Sequence, residues 1–249
     1  MTQLYDEIGI SYRNYRRPDP RLATAILRAL GEAQTVVNVG AGAESYEPTD
    51  RSVVAVEPSW TMLQQRPPKS APAVQASATA LPFRDHAFEA ALAILTVHHW
   101  PDPVQGLSEM ARVTQKRIVI VTWDPEVSNF WLIEDYFPAI AEIDRQICPS
   151  IEVFGETFGA IEVHPIPVPH DCLDGFLGAY WRRPHAYLDA GVRSAISTFS
   201  KLADVDSGLA RLRSDLVSGT WERRYGHLLH QLAYDLGYRL VIAPRLYPG

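Results

Sequence analysis

Short apolar runs recur along the first half of the chain: TVVNV (35–39), SVVAVE (52–57), AALAILT (90–96) and RIVIVTW (117–123). Each is rich in Val, Ile or Ala and is apolar on both faces. Strands of a parallel sheet covered on both sides by helices read this way. Amphipathic segments separate them. RLATAILRALG (21–31) sets Leu22, Ile26, Leu27 and Leu30 on one helical face, with Gly31 as a stop. SWTMLQQR (59–66) and DPVQGLSEMARV (102–113) are further helices. Alternation of strand and helix predicts an α/β, doubly wound, Rossmann-like sheet.

Beyond residue 124 the pattern changes. FWLIEDYFPAIAEIDRQI (130–147) is an aromatic-rich helical stretch interrupted by Pro138, and GAIEVHPIPVP (159–169) reads as an edge strand because its prolines would spoil a central one. A mostly helical segment covers 173–235, and GYRLVIAPRL (237–246) is a last strand. If the last two strands are neighbours, 173–235 is a helical insertion that caps the sheet.

Composition narrows the function classes. The chain has 249 residues, 47% apolar and 21% charged, which suits one large domain with an insertion. Net charge is −6 without a basic block, so a nucleic-acid partner is not expected. The two cysteines, Cys148 and Cys172, sit in no metal or disulfide pattern. No apolar run reaches the roughly 20 residues of a membrane span, and the N-terminal MTQLYDEIGISYRNYRR lacks a signal core. A cytoplasmic location without a membrane partner is expected.

Candidate chemistry lies at the strand ends. The first strand runs into Gly40-Ala41-Gly42, a turn that lets backbone approach a ligand closely. A glycine turn with no ligand is the plain alternative. The second strand ends in Glu57, about 17 residues further on, where an acid accepts both hydroxyl hydrogens of a ribose. Otherwise Glu57 is an ordinary acid ahead of a helix. The AALAILT strand leads into His98, His99 and Trp100, and the next strand ends in Asp124.

In order, VGAG, AVEPSWTML, ASATALPF, LAILTVHHWPDP, LSEMARV and VTWD resemble the class I S-adenosylmethionine-dependent methyltransferases of small-molecule type, over residues 35 to 124. That resemblance implies a single domain over 1–249 with a seven-stranded sheet, its last strand (237–246) antiparallel. It implies that 1–31 covers the cofactor and that 173–235 lies on the substrate side. S-adenosylmethionine would pass over Gly40, Ala41 and Gly42. Glu57 would take the ribose hydroxyls, Pro58 and Met62 would line the adenine, and Ser77 and Ala78 would lie near its amino group. Leu95 and Thr96 would offer backbone to the methionine amine, and Tyr12, Arg16 or Arg17 would hold its carboxylate. Three departures stand out: Asn38 where an acid is common, Ser77 in place of an acid, and Glu44 where the third glycine would relax helix packing. The span to Glu57 is also short and contains Pro48. A helix cut to about a turn would explain why a side chain fits at residue 44.

Methyl transfer to a hydroxyl needs in-line positioning and a base near neutral pKa. His98 or His99 fits that demand, with Asp124 placed to orient an imidazole. The plain alternative is a packing histidine. No metal is expected, because adjacent histidines on an extended chain face opposite sides. Phe130, Trp131, Tyr136, Phe137, Tyr180 and Trp181 are candidates for an apolar acceptor pocket, or for core. Methyl transfer to a small-molecule acceptor, with an oxygen nucleophile, is the expected activity. The alternatives are a cofactor-binding protein without catalysis and, more remotely, an NAD(P)-dependent oxidoreductase, whose Gly-x-Gly-x-x-Gly pattern fails at Ser45.

Overall fold

The computed structural model describes residues 15–127 and 129–244. In chain order the elements are α1 (Pro20–Leu30), β1 (Thr35–Val39), β2 (Ser52–Val56), α2 (Trp60–Gln64), β3 (Ala73–Val74), β4 (Phe88–Ile94), α3 (Pro103–Val113) and β5 (Thr114–Trp123). The second half adds α4 (Ala139–Ile147), α5 (Ile151–Phe158), β6 (Glu162–Pro165), β7 (Val168–Pro169), α6 (Ala190–Ser194), α7 (Asp206–Val217), α8 (Thr220–Tyr225), β8 (Ala233–Tyr234) and β9 (Tyr238–Pro244).

Seven strands form one sheet in the order β3-β2-β1-β4-β5-β9-β6. β1 through β5 are parallel, and β9 runs antiparallel to both β5 and β6. The last strand is therefore reversed, as expected, and the proline-bearing β6 is the edge. Alternate residues of the inner strands serve two cores. On one side Leu92, Ile94, Val119 and Val121 pack with Leu22, Ile26 and Leu30 of α1. On the other Ala91, Ala93, Ile118 and Ile120 pack with Leu107 and Met110 of α3 and Phe154 of α5. This is why the strands read as unbroken apolar runs. Helix starts follow local chemistry: the Asp19 side chain caps α1 at the Arg21 amide, the Asp102 side chain caps α3 at the Gln105 amide, and Pro20 and Pro103 open the first turns.

Pro138 divides the 130–147 stretch into a π turn, Leu132–Tyr136, and α4. The 173–235 segment is less regular than its pattern predicts. It is a chain of short 3₁₀ turns with α6, α7 and α8 among them. A two-stranded ladder, Val168↔Tyr234 and Pro169↔Ala233, pinches it at its base. Its anchor is aromatic: the buried Trp181 indole donates to the Val168 carbonyl at 3.0 Å, and Trp131 donates to the Trp181 carbonyl at 2.8 Å. Phe130, Trp131, Tyr136, Phe137 and Trp181 are all buried in this core, with Tyr180 packed against it. They line neither of the two cavities described below, so of the two readings for these six the core one is met and the acceptor-pocket one is not: their stacking holds the insertion to the sheet. Among the described residues no helix is long and apolar enough to cross a membrane.

Candidate active site

A cavity of about 950 Å³ opens at the carboxyl ends of β1, β2 and β4. That is the crevice in which open α/β sheets bind ligands, at the upper end of the usual ligand-pocket range. Its wall includes Gly40, Ala41 and Gly42 from the loop after β1, Glu57, Pro58 and Met62 from the β2–α2 region, and Ser77 and Ala78. Leu95 and Thr96 follow β4, and Arg16 and Arg17 precede α1. Every cofactor residue expected from the sequence thus lines one cavity, except Tyr12, which lies outside the described residues.

The loop is built for close approach. Gly40 has φ 73°, and a Cβ there would lie 2.0 Å from Thr96 Oγ1. Only glycine lets the β1 loop pass the end of β4. Both Glu57 carboxylate oxygens accept backbone amides, from Gly42 and from Ser59, each at 2.9 Å. That clamps the acid between loop and helix. Burial raises its pKa against those two hydrogen bonds, so the ionised acid is costly here and gains from a further donor.

No helix forms between Glu44 and Arg51, as the shortened-helix reading expects. Instead the segment is pinned by side chains. Arg66 pairs with Glu47 at 2.7 Å, both nearly buried, and Asn38 donates to the same carboxylate at 3.2 Å. Glu44 itself sits at φ 84°, a backbone region that favours glycine. The missing third glycine therefore leaves local strain at residue 44 even though no helix has to pack. Tyr46, at φ 56°, reaches across to donate to Asp174 at 3.0 Å. Asp174 also takes Arg16 at 2.5 Å. This trio, absent from the sequence reading, ties the glycine loop, the segment before α1 and the insertion together.

The histidines are placed differently from expectation. β4 ends at Ile94, Leu95 turns at φ 49°, and Val97–His99 form one turn of 3₁₀ helix. Successive side chains there are not on opposite faces. The rings of His98 and His99 lie 4.0 Å apart, tilted by 50°. His99 lines the large cavity and also a second, small one; His98 lines only the small one. Burial drives His98 down to about 3, and burial together with His98 drives His99 well below the imidazole range. Both rings are thus neutral and weakly basic, not the near-neutral bases expected. Asp124 does not orient them. Its carboxylate accepts from the Glu126 amide at 3.1 Å and lines neither cavity, because the chain turns away where its own amide joins the Gly237 carbonyl.

The small cavity, about 70 Å³, meets the large one at Arg16, Leu95 and His99. Trp123, Phe176 and Tyr238 give it apolar walls, and Asp144 and Cys148 contribute polar groups. Asp144 was missed in the sequence. Its readable sign is a charge on the buried stripe of α4, four residues after the fully buried Ile140.

A reversed last strand, a glycine turn and a clamped acid at the second strand end together define a nucleotide-type cofactor domain. The comparisons narrow that class. The methyltransferase domain family model matches residues 37–121. A solved protein of Anabaena variabilis, assigned as a methyltransferase from an antibiotic biosynthesis pathway, is 33% identical; the match covers 92% of this chain and 98% of that one, with a TM-score of 0.85. The chain belongs to the class I S-adenosylmethionine-dependent methyltransferases. Phosphoethanolamine N-methyltransferase 2 of Haemonchus contortus, solved with S-adenosyl-L-methionine, is 16% identical over 99% of this chain and 57% of that one, with a TM-score of 0.56. Geranyl diphosphate C-methyltransferase of Streptomyces coelicolor is 14% identical over 91% and 77%, with a TM-score of 0.50. These two share the fold. A search of curated proteins returns no match.

Proposed function

We propose that this methyltransferase binds S-adenosylmethionine along the large cavity and methylates an oxygen nucleophile of a small molecule. One observation carries the cofactor placement. The Gly40 cradle, which a Cβ would close, and the clamped Glu57 face the same 950 Å³ space. In this reading Glu57 accepts the ribose hydroxyls, Pro58 and Met62 flank the adenine, and Ser77 and Ala78 lie at its edge. Gly40 to Gly42, Leu95 and Thr96 give backbone to the methionine part, with Arg16 or Arg17 toward its carboxylate. When bound, the cofactor supplies an electrophilic methyl on sulfur.

The chain's own part is positioning and exclusion of water. The insertion brings Lys201 to the large cavity and Phe176 and Ile196 to the small one, so it forms part of the wall on the acceptor side. Buried neutral imidazoles favour a neutral acceptor group, since they add no charge and hold a hydroxyl by hydrogen bonding. This feature supports oxygen over a cationic amine.

Titration with S-adenosylhomocysteine and, separately, NADH tests the reading. Binding of the first alone supports it. NADH binding alone would favour the oxidoreductase alternative. Transfer of labelled methyl to a panel of phenols and alcohols separates an enzyme from a silent binder; incorporation only into amines would overturn the oxygen assignment.

A further inference from the structure

Asp144 is 4% exposed, yet its carboxyl accepts no hydrogen bond from any described residue. Burying a carboxyl without donors is costly, and such groups usually have a partner. Nearby, the His98 Nδ1 is buried and also lacks a hydrogen-bond partner among the described residues. Both residues, one from α4 and one from the turn after β4, line one cavity of about 70 Å³. At roughly 10–15 Å³ of such volume per water, that space takes a few atoms, not a whole acceptor. It adjoins the large cavity, sharing Arg16, Leu95 and His99 with it.

Resting on the proposed methyl-transfer reading, we infer that this small cavity is a subsite for the neutral hydroxyl end of the acceptor, which donates to Asp144 and accepts from the His98 ring. A hydroxyl has the one donor and the spare lone pairs that this pair of groups needs. Charge selects against the alternatives. Lys201 on the adjoining large cavity puts positive charge on the approach, which opposes an ammonium group, while Arg16 is paired with Asp174. An anionic end would lie against the Asp144 carboxyl. Of the other titratable groups lining the cavity, Cys148 and Tyr238 are driven up by burial and His99 is driven down, so all three stay neutral. Trp123 and Phe176 supply the flat apolar walls that an aromatic ring behind the hydroxyl would use. The carboxyl is also suited to taking the proton: burial raises Asp144 to about 7, against the opposing charge of Lys201. An acceptor base thus comes from α4, where the sequence pointed to the histidines.

Three probes sharing one ring test the subsite: phenol, benzylammonium and benzoate. Each is titrated by ligand-observed NMR into wild type, Asp144→Asn and Asp144→Leu, all saturated with S-adenosylhomocysteine. Phenol is expected to bind most tightly to the wild type. The Leu variant should lose at least about tenfold, as for a hydrogen bond to a charged group, and the Asn variant about two- to fivefold. Unchanged phenol affinity in the Leu variant would overturn the subsite. So would tighter benzylammonium binding that vanishes in both variants. If the Leu variant does not fold, the Asn variant decides: no loss there sinks the inference. S-adenosylhomocysteine affinity is read separately. Its absence in the wild type would overturn the cofactor placement, whereas phenol binding that depends on Asp144 would still uphold the subsite.

Discussion

The two cavities share Arg16, Leu95 and His99 but are built on different principles. The large one is shaped by backbone: a glycine turn that only Gly40 can make, an acid clamped by two amides, a strand end bent at Leu95. The small one is assembled from side chains of the turn after β4, α4 and the insertion, brought together by packing. Backbone devices force particular residue types at fixed spacing and so leave a sequence signature. Packed side chains leave almost none. The contrast makes opposite predictions for substitutions in the two places.

Gly40→Ala should have the largest effect. Its Cβ meets Thr96 Oγ1 at 2.0 Å, and φ is 73°, so the loop has to move or the strand end has to yield. We expect a loss of about 3 kcal/mol or more in stability, with cofactor affinity lost in parallel, measured by denaturant melts and S-adenosylhomocysteine titration. A well-folded, fully binding Ala variant would break the claim that backbone shapes the large cavity.

At the small cavity the sign reverses. Asp144 rises from 3.8 to about 7 on folding, because burial disfavours its charge. Its contribution to stability is present below about pH 4 and is lost as pH rises through 7. Asp144→Asn removes that loss. The variant should be more stable than wild type by on the order of 2–3 kcal/mol at pH 8, with the difference closing below pH 4. A destabilised Asn variant at pH 8 would show that the carboxylate is held by partners and not strained by burial. His98 behaves in the opposite direction. Its pKa falls to about 3, so folding loses stability as pH drops from about 6.5 toward 3. His98→Gln should flatten that part of a melting-temperature profile; an unchanged acid limb would contradict the burial of the ring.

The smallest effect belongs to the loop. Glu44→Gly relieves a side chain at φ 84° but loosens the unfolded chain, for a net gain of about 0.5–1 kcal/mol by thermal melting. A loss would mean that the Glu44 side chain makes up for its own strain.

The same contrast explains how much could be read from residues alone. Strands β1, β2, β4 and β5 follow from apolar runs, and the Gly40 and Glu57 spacing marks the cofactor turn; the reversal of β9 and the rest of the cavity wall were implied only by the family resemblance. The pairing of His98 with His99 did not, because a 3₁₀ turn replaces the expected strand end and rotates the rings together. Asp124 was misplaced because a position after a strand says nothing about where the next turn leads. The aromatics were left between pocket and core because burial in core and burial in a pocket look alike in composition. Tyr46 and Asp174 form their contact across 128 residues, a separation that no local pattern records.

One titration tests the division of labour most directly: S-adenosylhomocysteine into wild type, Glu57→Gln and Asp144→Asn. Glu57→Gln should weaken binding about ten- to a hundredfold, as expected when a charged acceptor of hydroxyl hydrogens is lost, while Asp144→Asn stays within about twofold of wild type. Equal losses in both variants, or a loss only in Asp144→Asn, would contradict a cofactor bound in the large cavity with the small one reserved for the acceptor.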